Sequence, residues 1–430
     1  MKKTTPALSV LLVLLASAAH AQTQIQTTID QSKAQQVARI AIPFPGLPAG
    51  LDPQKINALF FAPLTRDIAE SGVFAIAPLP PNVPPTPDLL KRISAAYLLD
   101  LRFSTTPAGG GGAEIDYLVD TRLVDSTGAE ALPSKRYRAG EAALTKTAHT
   151  IASYIVRSIN GKPGIFTTQI AFASNRDGFW EIYLMDWDGG NQRRITFHRG
   201  LSILPSWSPD DERMVYTSFS RNASEMYVIN RRGGGRIKIH TGLALNTSAR
   251  FSPVGHDIAF VGSVNGNPDI YVIRDDATNL RRLTTSYSIE STPEWSPNGR
   301  QICFTSGRSG TPQIYVMDAE GTNIRRISFE GQWNDDARWA PDGERLAYTS
   351  RVNGVFQIRI TNVVTGESHI LAGEGSNEQP SWSPDGKWIA FQSNRSGKWQ
   401  IYRMRADGTD LMPLTSQGEN KEPDWSKKVE

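Results

Sequence analysis

The residue types that most often carry chemistry are few and scattered in this 430-residue chain. Cys303 is the one cysteine, which excludes an intramolecular disulfide and a cysteine-clustered zinc or iron–sulfur site. The histidines after residue 21 are far apart in sequence, so they form a metal site only if the fold gathers them. We interpret them instead as solvated or capping side chains: His149, His198, His240, His256 and His369.

Motifs of common enzyme classes are absent. The chain contains no Gly-x-Ser-x-Gly, no His-Glu-x-x-His and no Gly-x-x-x-x-Gly-Lys-Ser/Thr, so nothing predicts a serine hydrolase, a zinc peptidase or a phosphate-binding loop. Asp186–Gly189 resembles part of a calcium-binding loop but lacks the later ligands, and we interpret it as a turn. The net charge of +3, from 46 basic and 43 acidic residues, does not indicate a nucleic-acid-binding protein. The sequence therefore favours a protein that is not an enzyme.

The second half of the chain repeats one unit every 43 or 44 residues. Each unit carries an aromatic residue, here called the anchor, which in most copies is followed by Ser-Pro or Ala-Pro and a turn. The anchors are Trp207, Phe251, Trp295, Trp339, Trp382 and the degenerate sixth copy, Trp425. Runs of the Ile-Ala-Phe, Ile-Tyr-Val-Met-Asp and Arg-Arg-Ile-Thr types recur in step, which gives four β-rich runs per unit. This period and content predict a β-propeller of six four-stranded blades.

The two ends of the repeat array predict how the ring closes. The first unit begins at Ile170 with no anchor strand before it, and the last anchor strand, Pro423–Ser426, ends the chain. We therefore predict that the C-terminal strand pairs with residues 170–174, which removes the open sheet edges. The anchor strands are expected to be innermost and the Arg-Arg strands outermost. Cys303 takes the small-residue position of the Ile-Ala-Phe run, which predicts a buried, inert thiol.

The first half of the chain lacks this repeat and predicts a different architecture. Residues 35–162 alternate strand-like and helix-like segments, with a helix near 53–71 and another over Leu144–Asn160 that ends at Gly161. This pattern predicts a small mixed α/β domain. The predicted fold is thus two-domain, with this N-terminal domain followed by a six-bladed propeller over 163–430. Residues 22–34, rich in Gln and Thr, are predicted to form an exposed N-terminal tail.

The first 21 residues have the layout of a secretory signal peptide. Lys2 and Lys3 precede an apolar run over residues 8–16, and Ala19-His20-Ala21 matches a cleavage site. The apolar run is shorter than the roughly 20 residues that span a bilayer. We therefore predict cleavage near Ala21 and export of a protein that does not insert into the membrane.

Loops that precede the inner strands of a propeller converge on its central channel, so they form a candidate partner-binding mouth. The residues five, four and three positions before each anchor are mostly polar, with several acids. The candidate mouth residues are Ser202, Leu204, Asn246, Thr247, Ser248, Glu290, Ser291, Thr292, Asp335, Asp336, Glu378, Gln379 and Glu422. We expect no cofactor, although binding of a cation by these acids in the channel stays an alternative. They also keep open an alternative function, that of an envelope glycan-binding or glycan-hydrolysing propeller.

The order of leader, small α/β domain and six-fold repeat resembles the TolB family of the Tol–Pal system. The resemblance implies a non-enzymatic periplasmic scaffold that supports outer-membrane constriction at cell division and envelope integrity, and that bacteriocins exploit for import. It implies binding of the peptidoglycan-associated lipoprotein Pal at the propeller mouth. It also implies binding of the TolA C-terminal domain by a segment that starts at Gln22, in which Ile25, Ile29 and Asp30 match the family pattern. A monomer, with other envelope proteins as further partners and no nucleic acid, completes these expectations.

Overall fold

The computed structural model describes residues 37–80, 83–108, 115–220, 223–264, 266–371 and 373–428. It contains a small α/β domain followed by a six-bladed β-propeller, which confirms the predicted fold class. The predicted signal peptide and the predicted tail over 22–34 lie outside the described residues.

The N-terminal domain is one five-stranded mixed sheet with helices packed against it. Its elements are β1 (Ala38–Ala41), α1 (Pro53–Ile56), α2 (Ala62–Glu70), β2 (Phe74–Ile76), α3 (Pro87–Arg92), β3 (Tyr97–Pro107), β4 (Ile115–Asp125), β5 (Glu130–Gly140) and α4 (Leu144–Asn160). The strand order is β2-β1-β3-β4-β5, with β1 parallel to both neighbours and the remaining pairs antiparallel. Gly161 ends α4 with φ of 72°, in the left-handed region that glycine adopts readily. Among the described helices, none combines the length and apolar character that crossing a membrane requires.

The helix predicted near 53–71 is interrupted between α1 and α2. Asn57–Phe61 widens there into a π-helical turn. Pro63 has no N–H, so it cannot donate the ordinary helical hydrogen bond to the Leu59 carbonyl. The Thr145 hydroxyl on α4 donates to that carbonyl instead, at 2.8 Å. The interruption therefore also ties α4 to this helix.

Each propeller blade is a four-stranded antiparallel sheet. Blades 1 to 3 contain β6 (Gln169–Ser174), β7 (Glu181–Asp186), β8 (Arg193–Arg194), β9 (Leu201–Trp207), β10 (Arg213–Ser220), β11 (Ala223–Asn230), β12 (Ile237–Ile239), β13 (Leu245–Phe251), β14 (Asp257–Ser263), β15 (Asp269–Arg274) and β16 (Arg281–Arg282). Blades 4 to 6 contain β17 (Glu290–Trp295), β18 (Gln301–Ser306), β19 (Gln313–Asp318), β20 (Arg325–Arg326), β21 (Asn334–Trp339), β22 (Arg345–Val352), β23 (Val355–Asn362), β24 (Ser368–Leu371), β25 (Asn377–Trp382), β26 (Trp388–Ser393), β27 (Gln400–Arg405) and β28 (Met412–Pro413). The last strand, β29 (Asn420–Trp425), completes blade 1.

The ring closes through the pairing that the repeat count predicts. Strand β29 runs antiparallel to β6, with Asn420 opposite Ser174 and Trp425 opposite Ile170. The six anchor strands contact one another around the centre and are therefore innermost, whereas the Arg-Arg strands lie at the outer edges of their sheets. Cys303 is fully buried between blades, and burial raises the pKa of its thiol, as the prediction of an inert packed side chain requires.

Anchor tryptophans bond three of the blades to the blade before them. In three blades the anchor indole N–H donates to the carbonyl of the residue that directly precedes the neighbouring blade's anchor. These bonds are Trp207 to Asp424 at 3.0 Å, Trp295 to Arg250 at 3.3 Å and Trp382 to Arg338 at 3.2 Å. Because donor and acceptor are both fixed relative to an anchor, the regular period itself brings them together.

The N-terminal domain packs against blades 1 and 6 around a buried arginine. The guanidinium carbon of Arg403 lies 4.2 Å from the Trp187 ring centroid and 4.4 Å from that of Trp388. Arg403 also donates to Glu70, at the end of α2, at 2.7 Å. A desolvated cation between two indole rings forms strong cation–π interactions. Around Arg403 the two domains are therefore joined both by packing and by an ion pair.

His149 lies in the same interface and is not solvated. It is buried on α4, with Nδ1 at 2.5 Å from an Asp67 oxygen and Nε2 at 3.7 Å from Asp188, which also pairs with Arg66. Desolvation lowers the pKa of His149, but the Asp67 hydrogen bond and the charges of Asp67, Asp188 and Asp186 outweigh it and leave the pKa raised. Burial raises the pKa of Asp67 to about 6. The interpretation of this histidine as solvated or capping is thus wrong, because domain docking encloses it between two acids.

Candidate functional site

A β-bulge at the same place in every inner strand shapes the propeller mouth. The pairing of each inner strand with its neighbour shifts between the residues four and one before the anchor. The residue three before the anchor has a positive φ in all six blades: Leu204 (53°), Ser248 (54°), Thr292 (47°), Asp336 (54°), Gln379 (53°) and Glu422 (59°). None is glycine, and this conformation costs a non-glycine residue about 1 kcal/mol. Strain repeated in six blades indicates a constraint on the geometry of the mouth.

The bulges bring ten of the predicted mouth residues together. They are half-buried at the start of the inner strands: Leu204, Thr247, Ser248, Ser291, Thr292, Asp335, Asp336, Glu378, Gln379 and Glu422. Hydrogen bonds join them from blade to blade, as when Leu204 N–H donates to Glu422 at 2.5 Å and the Thr292 hydroxyl donates to Asp335 at 3.2 Å. The mouth is therefore a largely polar ring whose residues are partly tied from blade to blade.

The residues five before the anchor do not face the mouth. Ser202, Asn246 and Glu290 are buried. Glu290 accepts hydrogen bonds at 2.8 Å from both Ser306 and Arg308, and the Asn246 amide donates to two backbone carbonyls. The expectation that these three residues contact a partner is corrected by this burial, since they hold the loops in place beneath the surface.

Two carboxyl groups of the ring have raised pKa values and are only partly ionised near neutral pH. Burial, followed by the nearby Asp335 charge, raises the pKa of Asp336 to about 7, although Arg338 and Arg250 oppose the shift. Burial likewise raises the pKa of Glu422 to about 7. The charge of the mouth therefore changes across the neutral range. Within the described ranges, no group of three or more histidine, cysteine or acidic side chains is arranged to hold a metal ion.

A layer of paired charges lies beneath the mouth, at the residues that directly precede the anchors. Arg250 lies 3.4 Å from Asp424 and 3.2 Å from Glu294, and Arg338 lies 3.8 Å from Glu294. Arg250, Arg338 and Asp424 are buried. This ionic layer connects blades 1, 3, 4 and 5 across the centre and separates the mouth from the anchor end of the channel.

An apolar arc borders the mouth, half-buried over blades 2 and 3 and exposed over blades 4 and 5, and the sequence interpretation missed it. The residue six before the anchor is apolar in four consecutive blades, as Leu201, Leu245, Ile289 and Trp333. Ile289 is 62% exposed and Trp333 is 40% exposed, with Tyr287 and Phe329 exposed beside them. A cluster of large exposed apolar side chains marks an interaction surface more reliably than polar loop residues do. The repeated apolar position is visible in the sequence, six residues before each of four consecutive anchors.

The fold and this site define a two-domain protein in which a six-bladed propeller with a largely polar mouth follows a small α/β domain. The family model described as the TolB beta propeller domain matches residues 156–429. The chain therefore belongs to the TolB β-propeller family.

Individual relatives agree with this assignment. Proteins named Tol-Pal system protein TolB are 33% identical over 224 residues in Syntrophotalea carbinolica and 36% identical over 157 residues in Azoarcus sp.. These alignments span 50% and 36% of the relatives, so the chain matches about half of their length or less. The crystal structure of TolB from Acinetobacter baumannii superposes with a TM-score of 0.75 and 25% identity, and covers 91% of this chain and 97% of that one.

Proposed function

We propose that this protein is a non-enzymatic periplasmic scaffold of the Tol–Pal complex, which binds Pal at the propeller mouth and TolA through its N-terminal tail. The observation that carries the proposal is the mouth itself, a strained six-fold polar ring bordered by exposed apolar side chains. The names of the curated relatives support the assignment to this system. In this role the protein supports outer-membrane constriction and envelope integrity, and bacteriocins use the same surface.

The two parts of the mouth contribute differently to binding. Large apolar residues such as Ile289 and Trp333 supply the area that, once desolvated, accounts for most of the affinity of an interface. The acids Asp335 and Glu378 contribute mainly to specificity and association rate. A complementary surface of Pal is therefore expected to place apolar residues over blades 4 and 5 and basic residues over the ring.

We expect the double variant Ile289→Ala/Trp333→Ala to bind the purified periplasmic domain of Pal at least about tenfold more weakly, because each side chain is a candidate hot spot. Isothermal titration calorimetry measures the change. The matched control is Val364→Ala/Ile237→Ala, which truncates residues that are 77% and 61% exposed away from the mouth. If the mouth variant bound Pal with wild-type affinity and kept an unchanged circular dichroism spectrum, Pal would not bind at this surface.

Deleting residues 22–33 is expected to abolish binding of the TolA C-terminal domain and to leave Pal binding intact. The tail either docks on the protein or adds to TolA as an extended strand. Pal at the mouth biases which state dominates, so the two partners are coupled. Surface plasmon resonance with each partner tests this. Loss of both interactions, or of neither, would contradict a separate TolA site.

A further inference from the structure

A cavity on the mouth side of blade 3 adjoins the apolar arc. Its volume is about 270 Å³, and its lining includes Val264, Tyr271, Arg282, Thr285 and Tyr287. The Asn267 amide donates to the Ser286 carbonyl at 2.6 Å, which ties together the two loops that flank the cavity. Tyr287 is fully exposed, and Ile289 of the arc follows it by two residues. The cavity is therefore continuous with the proposed Pal surface.

Arg282 is held in the same way as the equivalent arginines of blades 1 and 4. Each of the three lies on an Arg-Arg strand, opposite a tyrosine of the neighbouring strand, in the pairs Arg194–Tyr183, Arg282–Tyr271 and Arg326–Tyr315. In all three the Nε atom donates to the backbone carbonyl of the residue two positions further along. The regular period thus fixes the guanidinium group in the same setting three times.

Blades 1 and 4 cover this arginine with a phenylalanine of their own, and blade 3 does not. The Phe197 ring centroid lies 4.7 Å from the guanidinium carbon of Arg194, and the equivalent ring, Phe329, covers its arginine at 5.3 Å. Thr285 takes this position in blade 3. The Arg282 side chain is 42% exposed and has no aromatic cap within the described residues.

A second replacement in blade 3 keeps the space beside Tyr271 open. In blade 1 the residue four after the phenylalanine of the Ile-Ala-Phe run is Arg176, whose guanidinium carbon lies 4.8 Å from the strand tyrosine's ring centroid. Arg308 occupies the same place in blade 4, at 5.1 Å. Blade 3 has the shorter Val264 there, which is exposed. Leu243 packs against the buried side of the Tyr271 ring, and the side towards Arg282 is left as the cavity.

We propose that this cavity receives an aromatic side chain of the protein that binds at the mouth, and that its ring stacks on Arg282 as Phe197 and Phe329 stack on their arginines. The partner supplies the cap that blades 1 and 4 carry in the chain itself. That this partner is Pal rests on the proposed function, whereas the aromatic site rests on the three blades compared above.

The chemistry of the cavity favours an aromatic ring over other groups. The planar guanidinium attracts the face of an aromatic ring, which an aliphatic side chain cannot match. Arg282 already pairs with Asp269, so a second carboxylate would gain little. A cavity of about 150 Å³ is large enough for benzene, so this cavity admits a phenyl or phenol ring.

A small aromatic probe tests the site without any partner. Protein labelled with 3-fluorotyrosine gives ¹⁹F signals, and Tyr287→Phe assigns the signal of residue 287. We expect N-acetyl-L-phenylalaninamide to shift that signal at millimolar concentration and to bind at least about fivefold more tightly than N-acetyl-L-leucinamide. No shift at 20 mM probe, or equal binding of the leucine compound, would overturn the proposal. This comparison uses the unchanged sequence, so it does not depend on whether a variant folds.

Thr285→Phe supplies the missing cap within the chain and tests the partner's side chain. We expect it to abolish the shift caused by the probe and to weaken binding of the periplasmic domain of Pal at least about tenfold, measured by calorimetry, because an aromatic side chain in a pocket is a typical hot spot. The matched control is Ser416→Phe, which adds the same ring at the equivalent exposed position of blade 6 and should change neither result.

The outcomes separate this proposal from the proposed function. If Thr285→Phe lost the probe but bound Pal as the wild type does, the cavity would not receive the partner's side chain, and Pal binding at the mouth would stand. If the wild-type protein bound the aromatic probe but not Pal, the aromatic site would be supported and only Pal would be excluded as its partner.

Discussion

Trp425→Ala is expected to lower the free energy of unfolding by about 4 kcal/mol, the middle of the range for truncating a buried aromatic side chain to alanine. Trp425 is fully buried, and its indole N–H donates to the Thr168 hydroxyl at 2.8 Å. It lies on β29, which is the only partner that β6 has on the inner side of blade 1 within the described residues. Strands β29 and β6 are far apart in sequence and pair directly. A large effect at Trp425 therefore reports on the pairing that closes the ring.

Chemical denaturation followed by circular dichroism measures this effect. Trp333→Ala is the control, since it removes the same side chain from a site that is 40% exposed and should cost less than about 1 kcal/mol. Trp425→Phe retains most of the volume and should recover most of the loss. If Trp425→Ala were no more destabilising than Trp333→Ala, the C-terminal strand would not hold the propeller closed.

Arg403→Ala is expected to cost about 3 kcal/mol and to uncouple the unfolding of the two domains. The substitution removes a cation from between the Trp187 and Trp388 rings and leaves the Glu70 carboxylate without its partner. Removing one partner of a buried ion pair costs several kcal/mol, and Glu70 is partly exposed, which places the effect at the low end. Differential scanning calorimetry should show a single transition separating into two. Limited proteolysis should cut faster near Gly161–Gly164.

Arg403→Lys refines this prediction, because an ammonium group keeps the charge but does not stack as a planar guanidinium does. It should recover only part of the loss. Arg274→Ala is the control. The Arg274 side chain is half exposed and forms a long ion pair with Asp276, at 3.9 Å, so its removal should change stability by less than about 0.5 kcal/mol. A single unchanged transition in Arg403→Ala would mean that this contact does not couple the domains.

Much of the propeller could be predicted from local patterns. The position of the Ile-Cys-Phe run within its repeat predicted that Cys303 is buried, because side chains at equivalent repeat positions meet equivalent neighbours. Pro63 is a local signal for the interruption before α2. The partner of the Leu59 carbonyl could not be read from local patterns, because the hydroxyl comes from Thr145 on α4, 86 residues further along the chain. Counting back from the anchors selected ten residues that lie half-buried at the bulges of the inner strands, but the count did not reveal that Ser202, Asn246 and Glu290 are buried.

The sequence by itself determined the number of blades, the order of strands within each blade and the strand that closes the ring, because these follow from a covalent period and from strand-length patterns. Only the tertiary structure decided which mouth residues are presented, since a β-bulge changes the side-chain direction that simple alternation predicts. It also decided the pairing of Arg250 with Asp424, which lie 174 residues apart, and the enclosure of His149 between Asp67 and Asp188. Such contacts depend on how whole blades and domains dock. No local sequence pattern predicts which residues far apart in the chain come together.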